Sequence, residues 1–221
     1  MLGLTLPFPL LPCPDMKNPK NLSPQSLDLR VSRRQLERFH PLMQEGFMVR
    51  TQLGCTIKAL LCDQFKVSPE YLEARVQTVF LNGKPVDDIA STEIPAGATL
   101  ALSAAMPGLV GATLRRGGYY APMRSDITYR KEEAHGARGE GMVRIKLFNL
   151  LGPELAPTFL ARGIWLSGFR LQGFVSQLPD EFWTQCKAIH LDGAAMSVTA
   201  LRCVIWPDDP EPVRLSVTIA E

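Results

Sequence analysis

The sequence lacks the motifs on which most catalytic, metal and redox sites depend. Its 221 residues contain no Cys-x-x-Cys pair, which argues against a zinc knuckle or a thioredoxin-like site. The glycine-rich phosphate loop, the nucleophile elbow and the zinc-protease motif are also missing. The three histidines, His40, His135 and His190, stand far apart and are expected to be isolated. The sequence therefore indicates no catalytic residue, no cofactor and no metal site, and it leaves open whether the protein is an enzyme.

Neither a large charge of one sign nor a long apolar run is present. The formal net charge is +2, which is too little to predict binding to nucleic acid or to an anionic membrane surface. No apolar run reaches the roughly 18–20 residues that span a bilayer. The sequence therefore carries no strong nucleic-acid signal and no membrane signal, and the expected partner is a protein or a second copy of the chain.

The five cysteines are odd in number and widely spaced, which is typical of reduced thiols in a cytoplasm. Cys55 and Cys62 stand seven apart on a predicted helix, about 10 Å from each other and too far for a disulfide. Cys55 lies near the beginning of that helix, where the helix dipole lowers a thiol pKa. It is the candidate reactive thiol, and burial as a small apolar residue is the alternative.

What the sequence does contain is enough apolar material for a folded core. Hydrophobic residues make up 46% and charged residues 21%, which argues against wholesale disorder. Residues 1–25, rich in proline and asparagine, are expected to form a poorly ordered leader. The apolar start of this leader has no basic residue before it and no cleavage site after it, so an export signal is not indicated. Met16 is an alternative start of translation.

Residues 26–113 carry the clearest structural pattern. Alternating and helical apolar spacings predict strands at 27–31 and 47–51, helices at 56–65 and 69–75, and strands at 76–81 and 99–104. The first two strands are expected to pair antiparallel. Asn82-Gly83 predicts a tight hairpin, because both of its central residues need a positive φ.

This order of strand, strand, helix, hairpin and final strand is that of a β-grasp, or ubiquitin-like, domain. Within it, three stretches resemble the bacterial sulfur carriers of thiamine and molybdopterin synthesis. They are the helix start Gly54-Cys55-Thr56-Ile57-Lys58-Ala59-Leu60-Leu61, the hairpin Val79-Phe80-Leu81-Asn82-Gly83-Lys84-Pro85-Val86, and the strand entry Pro95-Ala96-Gly97-Ala98-Thr99-Leu100-Ala101-Leu102. The resemblance covers residues 27–111 and implies a β-grasp fold.

The resemblance also implies a chemistry that this chain departs from. The carriers end in a flexible Gly-Gly tail whose terminal carboxylate is activated, whereas this chain continues well past the corresponding position. The nearest double glycine is Gly117-Gly118, and cleavage after Gly118 would create a carrier-like end. A turn in a linker is the alternative interpretation of the same pair.

The rest of the chain predicts a linker or long loop at 114–141 and a second small α+β domain at 142–221 with a mostly antiparallel sheet. Arginines and tyrosines in the linker are diluted by acidic residues, so a solvated surface is expected there. In the second domain we expect a helix within 150–162 and strands at 142–148, 164–175, 187–191, 196–206 and 213–220.

Three functions remain open on this basis. The first is a non-catalytic β-grasp binding or scaffold module whose sheet contacts a partner. The second is a sulfur-carrier or modifier precursor that is processed after Gly118. The third is an enzyme of unrecognised type with a site between the two domains, where Cys55 or a histidine would lie beside a base.

Overall fold

The computed structural model describes residues 25–130, 138–207 and 211–220, and its described strands form one mixed, mostly antiparallel sheet of ten strands. With the helices, this makes the chain an α+β protein. The predicted leader, residues 1–25, lies outside the described residues except for its last residue.

The strands are β1 (Ser26–Val31), β2 (Phe47–Leu53), β3 (Thr78–Leu81), β4 (Lys84–Pro85), β5 (Thr99–Ser103), β6 (Gly139–Phe148), β7 (Ile164–Leu166), β8 (Ala188–Leu191), β9 (Ala194–Ala195) and β10 (Val213–Ile219). The helices are α1 (His40–Glu45), α2 (Ile57–Ala59), α3 (Pro69–Arg75), α4 (Gly108–Leu114), α5 (Leu151–Arg162), α6 (Gly168–Gln177), α7 (Asp180–Gln185) and α8 (Val198–Arg202). A 3₁₀ helix at Arg33–Phe39 precedes α1, and a π-helical turn at Leu60–Gln64 continues α2. A second 3₁₀ helix, at Ala121–Arg124, follows α4. The order of strands across the sheet is β4-β3-β5-β6-β2-β7-β10-β1-β8-β9.

Aromatic side chains join the helices to one face of the sheet. Phe47 of β2 packs on Phe159 of α5 with ring centroids 5.2 Å apart, and Phe65 packs on the same ring at 5.0 Å. Phe39 packs on Phe174 of α6 at 5.1 Å. All but Phe174 are at most 1% exposed, and Phe174 is 8% exposed. This face therefore holds the core, and the alternate residues of each strand are left on the opposite face.

Several local predictions for the first half are confirmed. The Thr56 hydroxyl accepts from the Ala59 amide at 3.2 Å and begins α2, while Ser68 begins α3 by accepting from the Tyr71 amide at 3.1 Å. Asn82, with φ of +50°, and Gly83, with φ of +80°, form the predicted turn between β3 and β4. These features depend on residues close in sequence, which is why the pattern predicts them.

The predicted pairing of the first two strands is wrong. β1 runs parallel to β10 and antiparallel to β8, whereas β2 runs antiparallel to β6. The connection between β1 and β2 is helical, not a tight turn, so it carries the chain across two intervening strands. Nothing local specifies a partner for a strand whose neighbours are far away in sequence.

Two predicted strands of the second half contain helices instead. The strand predicted at 164–175 ends at Leu166, because the Ser167 hydroxyl accepts from the Arg170 amide at 3.4 Å and begins α6. The region 196–206 holds no strand and contains α8, which Ser197 caps by accepting from the Ala200 amide at 3.2 Å. The helix predicted at 150–162 and the strands predicted at 142–148, 187–191 and 213–220 are confirmed within a few residues.

Strands from both sides of the predicted linker join in the single sheet. β6, which begins in the last residues of the predicted linker, lies between β5 and β2 of the first half. β1, from the first half, lies between β10 and β8 of the second. The division of the chain into two domains and the β-grasp assignment stay predictions.

The sheet has an internal two-fold relation. Read outward from its centre, β2, β6, β5, β3 and β4 on one side correspond to β7, β10, β1, β8 and β9 on the other. Both sides show the same succession of antiparallel, parallel, antiparallel and antiparallel pairs. Below, these five-stranded parts are called the β2 half and the β7 half.

Matching hydrogen bonds support this relation. The Thr99 amide donates to Asn82 Oδ1 at 2.8 Å in the β2 half, and the Ser26 amide donates to Asp192 Oδ1 at 2.6 Å in the β7 half. Asn82 and Asp192 have φ values of +50° and +49°, and each is followed by glycine in a two-residue hairpin turn. The repeated hairpin is the clearest trace of the two-fold relation in the sequence.

Candidate functional site

The two halves meet at a seam formed by a single pair of strand residues, Met48 of β2 and Trp165 of β7. Met48 is also paired with Arg144 of β6, and Trp165 with Arg214 of β10. All four side chains point away from the helical face and are partly exposed. They place two arginines symmetrically about a sulfur and an indole at the middle of this open face.

Basic side chains outnumber acidic ones on the open face. On β1, β2, β6 and β10, the residues that alternate with the core positions include five basic side chains and two acidic ones, namely Arg30, Arg50, Arg144, Lys146 and Arg214 against Asp28 and Glu140. The net charge of the whole chain hides this local excess. A positive surface of this kind attracts negatively charged partners.

A cleft of about 350 Å³ opens beside the seam, where β7 is too short to follow β2. Its lining is dominated by hydrogen-bond donors and contains one carboxylate. The lining residues are Val49, Arg50, Thr51, Gln52, Gln64, Glu140, Arg162, Gly163, Trp165 and Arg214. We call this the seam cleft.

The side chain of Gln64 forms one wall of the seam cleft, where its amide group pairs with the backbone of β2 as a neighbouring strand would. Its Oε1 accepts from the Gln52 amide at 3.0 Å, and its Nε2 donates to the Gln52 carbonyl oxygen at 3.1 Å. The Thr51 hydroxyl donates to the same Oε1. The backbone groups that β7 leaves unpaired are thus satisfied, which fixes this wall in place.

The three arginines of the seam cleft are each held by a neighbour. Arg50 lies over the Trp165 ring, with Cζ 5.1 Å from the centroid. Arg162 lies 5.2 Å over the Phe65 ring and donates to the Gln64 carbonyl oxygen. Arg214 donates to the Arg162 carbonyl oxygen at 3.0 Å. Because a guanidinium has five N–H donors, each of them keeps donors for a ligand.

On the other side of the Met48–Trp165 pair, an ion pair occupies the position that corresponds to the seam cleft by the two-fold relation. Arg170 of α6 donates to the Gly46 carbonyl oxygen at 2.5 Å, and its other nitrogen lies 3.1 Å from Glu45 Oε2. Gly46 corresponds to Gly163 by the two-fold relation, since both end a helix and precede a central strand with φ near +95° to +98°. The seam is therefore closed on one side and open on the other.

Cys55 lies behind the Gln64 wall and does not line the seam cleft. Its Sγ accepts from Gln64 Nε2 at 3.2 Å and donates to the Gln52 carbonyl oxygen at 3.2 Å. Burial raises the pKa of the Cys55 thiol, and the hydrogen bond from Gln64 only partly offsets that rise. This direction is opposite to the lowered pKa expected from the helix start, and Cys55 as a reactive thiol stays a prediction. Thr56, not Cys55, caps the helix.

Gly117 and Gly118 form a turn that is tied to the rest of the fold. The Gly117 amide donates to Asp87 Oδ1 at 3.0 Å, and the Gly118 amide donates to the Arg115 carbonyl oxygen at 3.1 Å. The preceding Arg116 amide donates to the Gln77 carbonyl oxygen at 2.8 Å. The double glycine is therefore anchored beside β3, and processing after Gly118 stays a prediction.

The histidines are not brought to the seam cleft. His40 lies in α1 and His190 in β8, while His135 lies outside the described residues. Within the described residues, no group of three or more histidine, cysteine, aspartate or glutamate side chains is arranged to hold a metal ion.

Sequence reasoning missed the residues that line the seam cleft. The alternating pattern of β2 identifies Arg50 and Gln52 as polar strand positions. Their proximity to Arg162 and Arg214 depends on neighbouring strands that are distant in sequence. The internal hairpin repeat was the available signal for a two-fold seam.

No family model, curated protein or solved structure matches this chain. None of the described helices is long and apolar enough to cross a membrane.

Proposed function

We propose that this chain is a non-catalytic, β-grasp-like binding module that holds an acidic segment of a protein partner on its open sheet face. The observation that carries the proposal is the excess of basic side chains around Met48 and Trp165 on that face. The β-grasp part is supported by β2, its following helices, the β3–β4 hairpin and β5, which occur in the expected order, with β6 in place of the expected first strand.

Exposed apolar side chains support a protein partner over nucleic acid. Along residues 109–127, Leu109 is 66% exposed, Val110 71%, Tyr119 90% and Met123 73%. Such a concentration of exposed apolar groups is typical of protein contact surfaces. It lies apart from the basic strands, so a partner would combine an acidic segment with an apolar one.

Arg144 and Lys146 are the residues to change, because they are on the open face and outside the lining of the seam cleft. We expect a labelled oligoglutamate peptide to bind the full chain, with an affinity that falls as salt is added. The double variant Arg144→Gln/Lys146→Gln should weaken binding roughly fivefold to tenfold, since each exposed charge contributes a fraction of a kcal/mol to about 1 kcal/mol. Fluorescence anisotropy measures both effects.

The matched control is Arg202→Gln, which removes one charge from α8, an element outside the sheet. It should leave peptide binding unchanged. Equal loss in the control and the double variant, or tighter binding of single-stranded nucleic acid than of oligoglutamate, would contradict the proposal. Oligoglutamine serves as the uncharged peptide.

The carrier alternative has a separate test. Intact mass measured on protein from the native host should give the full-length chain if the binding-module proposal is right. A species that ends at Gly118 would support the carrier instead.

A further inference from the structure

We propose that the seam cleft is a binding site for a small molecule that carries a compact oxyanion, a phosphate or a carboxylate. This goes beyond the proposed protein binding, with which it shares Arg50 and Arg214. Arg162 and Gln64 line the cleft from the helical side, whereas Arg144 and Lys146 of the open face do not line it.

The first argument is the chemistry of the lining. Three guanidinium groups, those of Arg50, Arg162 and Arg214, surround the cleft. Guanidinium matches phosphate and carboxylate oxygens with paired N–H donors, and such charge-assisted hydrogen bonds are the strong ones. The lining holds a single carboxylate, that of Glu140, so positive charge prevails.

The second argument is that the donors are already in place. Arg162 is fixed by the Phe65 ring and the Gln64 carbonyl, and Arg214 is fixed by the Arg162 carbonyl. Arg214 Nη1 lies 3.5 Å from Asp28 Oδ1, a distance at which the ion pair leaves its donors available. A ligand would therefore not have to order these side chains, which removes a large part of the entropic cost of binding.

The third argument is the asymmetry of the seam. On the closed side, Arg170 and Glu45 bring their own opposite charges to the position beside Met48 and Trp165. On the open side, Arg50 makes no ion pair with any described residue. The open side thus keeps an unpaired positive charge on Arg50, and a bound oxyanion would supply the carboxylate that this arginine lacks.

The size of the cleft decides what kind of molecule fits. A volume of about 350 Å³ is at the lower end of the range of small-molecule sites, roughly 300–1,000 Å³. The Glu140 carboxylate of the lining is able to accept hydrogen bonds, so a ligand with a hydroxyl or amino group besides its oxyanion is favoured over a simple polyanion. Since the lining comes from both halves, the ligand would bridge the seam.

The experiment is isothermal titration of the full-length protein with inorganic phosphate, pyrophosphate and citrate as probes. Saturable binding of phosphate or pyrophosphate alone assigns the site to phosphates, and binding of citrate alone assigns it to carboxylates. Either result supports the proposal if Arg162→Gln weakens it by about tenfold, as expected for the loss of one charge-assisted hydrogen bond.

Arg144→Gln is the matched control, because this arginine is on the open face but outside the cleft. It should leave probe binding within about twofold while it weakens oligoglutamate binding, so the two proposals fail separately. Arg50→Gln is the second cleft variant in case Arg162→Gln does not fold, since Arg50 is exposed. Absence of saturable binding at millimolar probe, or equal effects of the cleft variants and the control, would overturn the proposal.

Discussion

At the scale of single residues, Arg124 joins several parts of the segment after β5 through its buried guanidinium. Its side chain is 3% exposed and lies 2.6 Å from Asp87 Oδ1. It also donates to the Thr113 carbonyl oxygen at 2.7 Å and to the Thr128 hydroxyl at 2.8 Å. Residues that the sequence predicts as part of a linker or long loop are thus arranged around one buried guanidinium.

We expect Arg124→Gln to destabilise the protein by about 2–4 kcal/mol, because it removes a buried charge and leaves several partners unsatisfied. Urea denaturation followed by circular dichroism measures the change. The control is Arg202→Gln, which breaks an ion pair of the same length, 2.6 Å, between Arg202 and Asp180. In this pair the Arg202 side chain is 45% exposed and that of Asp180 is 83% exposed. It should cost about 0–1 kcal/mol. Similar losses for the two variants would show that burial is not what makes the Arg124 pair important.

At the scale of elements, the two hairpin turns perform the same task in the two halves. Asn82 and Asp192 adopt a positive φ and use their side chains to accept the amide at the start of a neighbouring strand. The strands that receive this hydrogen bond are β5 and β1, which occupy equivalent positions in the sheet. Each turn therefore fixes the register of a strand that its own hairpin does not include.

Replacing either side chain with alanine should cost about 1–2 kcal/mol, because the hydrogen bond is lost and alanine is disfavoured at positive φ. The exchanges Asn82→Asp and Asp192→Asn keep an acceptor and should cost less than about 0.5 kcal/mol. Thermal and urea unfolding of the four variants test this. If the exchanges were as costly as the alanine variants, the shared role of the two side chains would be wrong.

At the scale of the whole molecule, the halves of the sheet do not coincide with the halves of the chain. β6 completes the β2 half although it follows residue 130, and β1 completes the β7 half although it begins the described chain. Both exchanged strands contribute to the hydrophobic core, since Ile145 of β6 and Leu27 of β1 are fully buried. The sheet is thus assembled from strands distant in sequence.

A fragment of residues 26–113, the predicted first domain, tests whether the chain divides there. We expect it to remain unfolded alone, because β2 and β5 both lose β6 and β1 loses β10 and β8. Circular dichroism and amide-proton dispersion in NMR spectra measure this. A cooperative unfolding transition of the isolated fragment would instead support an independent first domain.

The sequence by itself determined the features that depend on near neighbours. Ser68 and Pro69 specify where α3 begins, Thr56 caps α2, and Asn82-Gly83 makes the β3–β4 turn, because a cap or a turn needs only three or four consecutive residues. Where such signals were overlooked, as with Ser167 and Ser197, helices were predicted as strands. The alternation in β6 and β10 likewise needed no tertiary information.

Only the tertiary structure decided which strands are neighbours, and with them the candidate site. Arg50, Arg162 and Arg214 are far apart in the chain and meet only because β2, β7 and β10 are adjacent at the seam. Which strands pair depends on contacts between residues distant in sequence, because the apolar faces of all strands and helices must be buried together. Local sequence patterns do not specify strand partners, so neither the single sheet nor the cleft at its centre could be predicted from the sequence.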